Sequence, residues 1–259
     1  MISIFFDNFF SFSNEVLPWY LLLALTVGVY FLGNINPAIL IGRAQGIDVR
    51  AQGSGNAGTT NALRSLGKKA GVITFIIDVV KGWVGYFVPY LIFARLAAQA
   101  TEGVYSSLQP YYFAGALAGL CGLCVCLGHM YPVVFGFRGG KGVATAFGVL
   151  LAVHWLYALI LLAIVIIFTA IFRYVSLSVM IAVAVAILIP IVIPPLFLFS
   201  SSAVPLSVYE LFTSMSAAGN IWIIVILILI VWKHRENIGR LLKGEENKIS
   251  IGGGSKGKE

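Results

Sequence analysis

Residues 53–64 gather glycine, hydroxyl and amide residues between two hydrophobic segments. Ser54 and Thr60 supply hydroxyl groups, and Arg64 supplies a cation. Glycines let successive backbone N–H groups point at one spot, which creates a concavity suited to phosphate or another oxyanion. A short helix beginning near Thr59 would add its positive end and would place Thr60 and Arg64 on one face. An ordinary polar loop is the alternative, but the density of donors favours an anion site.

A second polar segment, residues 128–145, ends in a Gly-Gly-Lys-Gly run (residues 139–142) at the start of another hydrophobic segment. Lys141 beside glycines at a helix N-terminus would present a strong point charge to a phosphate group. The run is not a P-loop, because Phe135 stands where that motif needs its first glycine and no hydroxyl residue follows the lysine. The alternative is a basic side chain that reaches lipid headgroups at the membrane surface, and this role alone can explain Arg138.

A third polar segment, residues 233–241, follows the last hydrophobic segment directly and is basic. On a helix, His234 and Asn237 would share a face, so an imidazole and an amide would be presented together. A basic helix next to a membrane commonly reflects attraction to lipid headgroups. The segment gains weight as part of a site because it is expected to face the same compartment as the first two.

Four further polar residues lie within or beside hydrophobic segments. Asp78 and Lys81 are spaced i and i+3, which favours a structural ion pair that supports residues 53–64. Ser176 and Ser178 stand at the boundary of another segment, and either of them could reach the same pocket. Helix capping is the alternative for Ser176.

The composition indicates that most of this chain lies in a lipid bilayer. Of its 259 residues, 59% are hydrophobic and 10% are charged, which is more apolar sequence than a water-soluble domain of this length must bury. The net charge of +7 arises mostly from basic residues that flank hydrophobic segments. Membrane orientation and anionic headgroups explain that charge, so nucleic acid is not an expected partner. We therefore expect an all-α integral membrane protein.

The distribution of charge predicts the number and direction of the membrane spans. Segments of about 20 apolar residues can cross a bilayer as helices, and basic residues mark cytoplasmic loops. Every basic cluster falls on one side only if the fourth segment is split at His154. This predicts seven transmembrane helices, with the N-terminus outside and with the C-terminus and all three polar segments on the cytoplasmic side. The hydrophobic segments are residues 17–41, 70–98, 111–127, 143–172, 177–199 and 221–232.

The sequence favours one membrane domain without a soluble module. Residues 1–249 are interpreted as a single transmembrane domain, and residues 250–259 as a disordered basic tail. The N-terminal stretch lacks a basic residue and a small-residue cleavage pattern, which argues against a removable signal peptide. Cys121, Cys124 and Cys126 lie in one apolar stretch without a second cluster, so neither a zinc site nor a disulfide framework is expected.

Taken together, the three polar segments resemble the three cytoplasmic motifs of the bacterial acyl-phosphate:glycerol-3-phosphate acyltransferases, in the same order. The resemblance covers about residues 21–249 and includes seven helices with the N-terminus outside. The chain departs from the family in long connections at residues 95–112 and 200–220, which leaves the oligomeric state open. The matching runs are Ser54-Gly55-Asn56-x-Gly58-x-Thr60-Asn61-x-x-Arg64, Gly128-His129-x-x-Pro132 to Gly139-Gly140-Lys141-Gly142, and His234-Arg235-x-Asn237-Ile238-x-Arg240-Leu241.

The resemblance implies an enzyme of the bacterial inner membrane whose active site faces the cytoplasm. It would transfer a fatty acyl group from acyl phosphate to the 1-hydroxyl of glycerol 3-phosphate, giving lysophosphatidic acid and phosphate, without a cofactor or a metal. The catalytic residues that it implies are Ser54, Arg64, Lys141, His234 and Asn237. The substrate- and phosphate-binding residues that it implies are Gly55, Asn56, Gly58, Thr60, Asn61, His129, Gly139, Gly140, Ser176 and Ser178.

The chemistry of an acyl phosphate asks little of the protein. Because this mixed anhydride is already activated, positioning and stabilisation by N–H groups and cations would suffice. A His-x4-Asp general-base pair is missing, since Val134 stands five residues after His129. The proton acceptor is then either a substrate phosphate or His234. A transporter of phosphate-like anions and a non-catalytic lipid-binding protein are the alternatives, but neither the absence of internal repeats nor the glycine-rich segment favours them.

Overall fold

The computed structural model describes residues 19–100, 109–198 and 217–249, and the regular elements within these ranges are all helical. Single-turn 3₁₀ helices lie in two polar connections, at Val49–Ala51 and Val133–Phe135. The expected tail at residues 250–259 lies outside the described residues, as do parts of both long connections. The α-helices are α1 (Trp19–Asn34), α2 (Pro37–Ala44), α3 (Thr59–Ser65), α4 (Lys68–Ala100), α5 (Gln109–Met130), α6 (Val143–Val153), α7 (Trp155–Phe172), α8 (Val175–Leu198), α9 (Ala217–Lys233) and α10 (Arg235–Leu242).

A polar break separates α1 from α2 within the first hydrophobic segment. Asn36 caps α2, because its Oδ1 accepts a hydrogen bond from the Ile39 amide at 3.1 Å, and Pro37 occupies the first turn, where an amide donor is not needed. The two helices are bent by 40° at this point. The Asn36 Nδ2 also donates to the carbonyl of Ala57 at 3.1 Å. The break is therefore hydrogen-bonded to residues 53–64, the glycine-rich loop, a contact that the sequence pattern did not predict.

The fourth hydrophobic segment is interrupted at His154, as the charge distribution predicts. α6 ends at Val153 and α7 begins at Trp155. The Nδ1 of His154 accepts a hydrogen bond from the Tyr157 amide at 3.2 Å and so caps the N-terminus of α7. The expected split of this segment into two short helices is confirmed.

The long helix α4 packs against both α5 and α6, while α1 and α9 pack on α5 and α7 packs on α8. Glycines let α4 and α6 approach until their backbones touch. A Cβ atom on Gly82 would lie 2.0 Å from the carbonyl oxygen of Thr145, and one on Gly148 would lie 2.0 Å from that of Val79. This contact fixes the start of α6 relative to α4, and with it Lys141, which stands two residues before α6.

Several helices are long and apolar enough to cross a membrane. Among the described residues, Lys68–Gln99, Ala114–Phe135 and Trp155–Phe172 each have the length and composition of a span, and the bent pair of α1 and α2 would add a fourth. α6 and the described apolar parts of α8 and α9 are shorter. The all-helical architecture is as expected, whereas the count of seven spans and their direction stay predictions.

Candidate active site

A cavity of about 310 Å³ lies where the polar loops meet α6, α8 and α9. Its polar end is formed by the glycine-rich loop (residues 53–64), Lys141 and Gly142 before α6, the start of α10 and the segment that follows α10. Its apolar end lies among α6, α7, α8 and α9. The residues that line the polar end include Ser54, Asn56, Gly58, Thr59, Thr60, Asn61, Arg64, Asp78, His129, Lys141, Ser176, His234, Asn237, Glu246 and Asn247.

Most residues that were predicted for the site reach this one cavity. All five residues with an expected catalytic role line it, although they come from three separate polar segments. Four of the expected binding residues do not line it, namely Gly55, Gly139, Gly140 and Ser178. The structure thus brings the three segments together and separates the residues that face the cavity from those that shape its walls.

Buried Asn61 holds the glycine-rich loop in shape. Its Nδ2 donates to the carbonyls of Val49 and Gln52 at 2.8 and 2.9 Å, and its Oδ1 accepts from the Ser54 amide at 2.9 Å. Gly53 has a φ of 58°, and a Cβ atom there would lie 2.3 Å from the Asn61 Oδ1, so only glycine fits. Both amide hydrogens of Asn61 are used inside the protein. Asn61 therefore acts on the site by positioning Ser54.

The Gly-Gly-Lys-Gly loop folds back on the end of α5. The amides of Gly139 and Gly140 donate to the carbonyls of Met130 and His129 at 3.3 and 3.1 Å. Neither glycine has room for a side chain: a Cβ atom on Gly139 would lie 2.0 Å from the His129 carbonyl oxygen, and one on Gly140 would lie 2.2 Å from the His129 Nε2. Because these glycines have no side chain, the loop packs closely against His129 at the end of α5, and this packing brings Lys141 to the cavity.

The rim cluster is a hydrogen-bonded group of five polar side chains beside the cavity: Lys141, Ser176, Asn237, Arg240 and Glu246. Asn237 is its centre, since its Oδ1 accepts from the Lys141 Nζ and its Nδ2 donates to Glu246 Oε1 at 2.6 Å. Glu246 also accepts from the Ser176 hydroxyl at 2.9 Å and from the Arg240 Nε at 2.8 Å. These bonds fix the orientation of the Asn237 amide, with its oxygen toward the lysine.

Glu246 is a site residue that the sequence pattern did not reveal. It follows α10 in a segment that returns to the cavity, where the Arg64 Nη2 donates to the Asn247 carbonyl at 3.1 Å. The available signal was an acidic pair, Glu245 and Glu246, within an otherwise basic C-terminal region. Nothing in the local sequence indicates which of the two carboxylates turns inward.

Burial sets the protonation of the groups at the polar end. It lowers the pKa of Lys141 to about 8, although the nearby carboxylate of Glu246 opposes the shift. Burial also lowers the pKa of His234 to about 4, and the charge on Lys141 adds to that effect. Burial would raise the pKa of Glu246, but hydrogen bonds from the rim cluster outweigh it and hold that pKa below its usual value. At neutral pH the site thus presents a mostly protonated lysine, a neutral imidazole and a carboxylate.

The backbone fixes the tautomer of His234. Its Nδ1 lies 2.8 Å from the carbonyl oxygen of Ile230 and must carry the hydrogen, because a carbonyl can only accept. The Nε2 is then an unprotonated acceptor. The helix breaks at His234, between α9 and α10, instead of continuing through it. His234 and Asn237 nevertheless both line the cavity, as their spacing predicts.

Of the two candidate serines, Ser176 reaches the cavity and Ser178 does not. The hydroxyl of Ser178 is buried and donates to the carbonyl of Tyr174 at 3.0 Å. Two positions along a helix differ by about 200° around its axis, so only one of these serines can face the cavity.

The buried triad is a second charged group, made of Asp78, Lys81 and His129, each at most 3% exposed. The Lys81 Nζ lies 2.8 Å from Asp78 Oδ1 and 2.9 Å from the His129 Nδ1, and that nitrogen is 3.3 Å from the same carboxylate oxygen. Lys81 also donates to the carbonyls of Gly33 and Ile35 at 3.1 and 2.6 Å. The expected ion pair is present, but its backbone contacts are with the break between α1 and α2 rather than with residues 53–64. The described residues contain no group of three or more His, Cys, Asp or Glu side chains suited to a metal ion.

The apolar end of the cavity is a chamber between four helices. On α8 its lining runs from Val175 to Ala186, a distance of about 16 Å along the helix. A chamber of this length next to a cationic end suits an amphiphile with an anionic head. Its walls include Phe147 and Leu150 of α6, Leu161 and Val165 of α7, Val179 and Val183 of α8, and Ile226 and Ile230 of α9.

Comparison with known proteins shows which family shares this sequence. A sequence model of the family described as Glycerol-3-phosphate acyltransferase matches residues 23–244. The chain is 38% identical over 228 residues to the Glycerol-3-phosphate acyltransferase of Clostridioides difficile (strain 630), an alignment that covers 87% of this chain and 94% of the relative. It is 40% identical over 230 residues to that of Aquifex aeolicus (strain VF5), covering 88% and 98%.

The fold is similar to that of solved structures of the same kind. Two crystal structures of PlsY (YgiH), described as an integral membrane glycerol 3-phosphate acyltransferase, are 38% identical in sequence. The glycerol 3-phosphate form gives a TM-score of 0.65 and covers 88% of this chain and 96% of that chain. The lysophosphatidic acid form gives 0.61 and covers 88% and 95%. The resemblance of the three polar segments is therefore confirmed, and the chain belongs to the glycerol-3-phosphate acyltransferase family of the PlsY type, as an integral membrane acyltransferase.

Proposed function

We propose that this chain transfers a fatty acyl group from acyl phosphate to the 1-hydroxyl of glycerol 3-phosphate, releasing lysophosphatidic acid and inorganic phosphate. The observation that carries the proposal is a single cavity that joins a cationic polar end to an apolar chamber. Lys141 and Arg64 supply charge for phosphate groups at one end, and α6 to α9 supply an apolar lining for an acyl chain at the other. The names of the two PlsY forms of similar fold fit the proposed acceptor and product.

In the proposed reaction, the 1-hydroxyl oxygen of glycerol 3-phosphate attacks the carbonyl carbon of acyl phosphate. The new ester bond forms as the bond between the carbonyl carbon and the phosphate oxygen breaks, and phosphate leaves with the electron pair. Two anionic groups must approach each other in this step, so cations are needed to offset their repulsion. Lys141 and Arg64 take that role, and the hydroxyl of Ser54 donates to the developing oxyanion.

The proposed proton acceptor is an oxygen of a substrate phosphate rather than His234. A pKa of about 4 makes His234 a weak base, whereas the second pKa of a phosphate ester is about 6. The phosphate oxygen is thus the stronger base by about two orders of magnitude. His234 then acts as a neutral hydrogen-bonding partner of the substrate.

The remaining expected residues divide into two roles in this proposal. Asn56, Gly58 and Thr60 line the cavity and contact the phosphate groups. Ser176 joins them through the rim cluster, and Ser178 does not. Four residues act indirectly, because they hold the glycine-rich loop and the Gly-Gly-Lys-Gly loop in the shape that brings Ser54 and Lys141 to the cavity. They are Gly55, Asn61, Gly139 and Gly140.

We also infer that the site opens at the cytoplasmic face of a bacterial inner membrane, with seven spanning helices and the N-terminus outside. The support is the basic character of the cavity end of the molecule. Lys233 ends α9, Arg235 and Arg240 lie on α10, and Lys243 follows α10 directly. Basic residues next to spanning helices mark the cytoplasmic side.

Phosphate release by the purified protein tests the proposal. The protein is expected to release phosphate from palmitoyl phosphate only when glycerol 3-phosphate is added, without metal or nucleotide, and to form an equal amount of lysophosphatidic acid. The Lys141→Ala variant, purified in the same way, gives the background. A requirement for acyl-CoA would overturn the donor assignment, and phosphate release that does not depend on glycerol 3-phosphate would overturn the acceptor assignment.

A further inference from the structure

The buried triad contains one group more than an ion pair needs. Asp78 and Lys81 already neutralise each other at 2.8 Å. His129 adds a polar ring from the end of α5, and burying such a ring is costly unless its nitrogens find partners. An apolar residue of similar size would pack more cheaply if packing were its only role. The two ring nitrogens of His129 therefore need a chemical explanation.

Lys81 sets the protonation of the inner nitrogen of His129. An ammonium group can only donate, and the Lys81 Nζ lies 2.9 Å from the His129 Nδ1. Asp78 Oδ1 lies farther from that nitrogen, at 3.3 Å, and is already paired with the lysine. The Nδ1 therefore carries the lone pair. A neutral ring of this kind bears its hydrogen on Nε2.

The outer nitrogen of His129 lies against the Gly-Gly-Lys-Gly loop, beside the cavity. His129 lines the cavity together with Lys141. Its Nε2 lies against Gly140, close enough that a Cβ atom there would be 2.2 Å away. The residue is only 3% exposed, and the hydrogen-bond and ion-pair contacts of its ring within the described part of the chain are made by Nδ1. An N–H at a ligand cavity that makes no bond within the protein is available to donate to the ligand.

We propose that His129 is a catalytic hydrogen-bond donor, whose Nε2–H binds an oxygen of the acyl phosphate, and that Lys81 and Asp78 are positioning residues that fix its tautomer. This inference rests on the proposed acyl transfer. The donor is neutral, so it complements the charge of Lys141 without adding a titrating group. It also explains why a charged pair is buried deep behind the glycine loops, where neither member reaches the rim cluster.

Amide variants separate the two nitrogens of His129. A glutamine side chain keeps an N–H near the position of Nε2, whereas asparagine keeps a polar atom only near Nδ1. We expect His129→Gln to retain kcat within about tenfold of wild type, and His129→Asn to lose about a hundredfold or more, as when one oxyanion donor is removed. Both variants should show similar thermal unfolding midpoints in detergent. Equal kcat values for the two variants, or losses that follow unfolding, would overturn the proposal.

His154 provides the matched control, because it caps α7 and is not among the residues that line the cavity. His154→Asn retains a capping side chain and should leave turnover unchanged. Wild-type turnover with palmitoyl phosphate is measured first. Its absence overturns the proposed function, whereas normal wild-type turnover with equal Gln and Asn variants at position 129 overturns only the role of His129.

The tautomer itself can be observed without any activity. In protein labelled with ¹⁵N-histidine, the signals that disappear in His129→Gln belong to His129. We expect their nitrogen shifts to be those of a neutral ring protonated on Nε2. In Lys81→Met, a variant that removes the donor to Nδ1, they should move toward a mixture of the two tautomers. A wild-type ring protonated on Nδ1 would overturn the proposal even if Lys81→Met does not fold, because the assignment needs only His129→Gln.

Discussion

The rim cluster and the buried triad both combine a lysine, a carboxylate and a hydrogen-bonding side chain, but they differ in charge balance. The rim cluster has two cations, Lys141 and Arg240, for one carboxylate, Glu246, and Arg64 lies close by. The buried triad has one lysine for one carboxylate, and each of its side chains is almost fully buried. An excess of positive charge beside a cavity favours the binding of an anion, whereas a neutral buried ion pair stabilises the fold.

The same difference separates the consequences of changing each group. A charge in the rim cluster is only partly buried, so its loss leaves water and neighbours to compensate. A charge in the buried triad has no such relief, and removing one partner strands the other in a dry interior. Substitutions of the charged residues Asp78 and Lys81 should therefore act mainly on folding, and substitutions in the rim cluster mainly on turnover.

The largest effect is expected from Lys81→Met. This change leaves the Asp78 carboxylate unpaired and removes the donor to the carbonyls of Gly33 and Ile35. We expect a loss of about 3 to 5 kcal/mol in the free energy of unfolding, which thermal unfolding in detergent measures. Adding Asp78→Asn to the same chain removes the stranded charge and should restore part of that loss.

Lys69→Met on the same helix is the control, because Lys69 is exposed at the start of α4. It should change stability by less than about 0.5 kcal/mol. Equal unfolding midpoints for the Lys69 and Lys81 variants would show that the Asp78–Lys81 pair does not stabilise the fold.

The next effect in size is expected from Lys141→Ala. Because Lys141 is proposed to neutralise phosphate charge as the leaving group departs, we expect turnover to fall by about a hundredfold to a thousandfold while the protein still folds. Arg138→Ala in the same loop is the matched control, since Arg138 is exposed and does not line the cavity. Similar losses in the two variants would mean that the positive charge of the loop matters and that no particular cation is engaged.

Much of the fold follows from local patterns, and the exceptions have physical reasons. The break at His154 is predictable because charge on either side of it would otherwise face opposite compartments. The break at Asn36 was missed, although an asparagine before a proline is a common helix start, because the apolar run on both sides masks it. A helix boundary that depends on one or two capping residues is hard to predict when it lies inside a long hydrophobic segment.

The site is predictable to the extent that its residues lie in compact runs. Ser54, Lys141 and His234 stand in motifs whose types already indicate anion chemistry. Glu246 was missed because its role depends on the chain turning back after α10. The link from His129 to Lys81 spans 48 residues and exists only once α4 and α5 have packed. The spacing of residues within one segment does not show which distant helices will pack together, so composition and motifs could not predict this contact.

A smaller effect is expected from Glu246→Gln, which tests whether the carboxylate of the rim cluster positions Asn237. Glutamine keeps one oxygen but loses the charge that attracts the Asn237 and Arg240 donors. We expect kcat/KM to fall about tenfold to a hundredfold, the usual range for losing a hydrogen bond to a charged group. Glu245→Gln changes the neighbouring exposed carboxylate and should leave kcat/KM unchanged. An increase in activity on removing Glu246 would instead show that its charge opposes substrate binding.

The smallest effect is a pH dependence that belongs to the rim cluster alone. The pKa of Lys141, lowered by burial to about 8, implies that the lysine loses its charge as pH rises from 7 to 9. Since kcat/KM reports the free enzyme, it should fall about fivefold to tenfold over that range. A phosphate ester with a second pKa of about 6 is already ionised there, so the substrate does not contribute to the fall. In Lys141→Arg the guanidinium stays protonated, so kcat/KM should be level between pH 7 and 9 even if its value is lower. The same fall in both proteins would mean that a group other than Lys141 titrates. The excess positive charge of the rim cluster would then not account for the pH dependence of substrate binding.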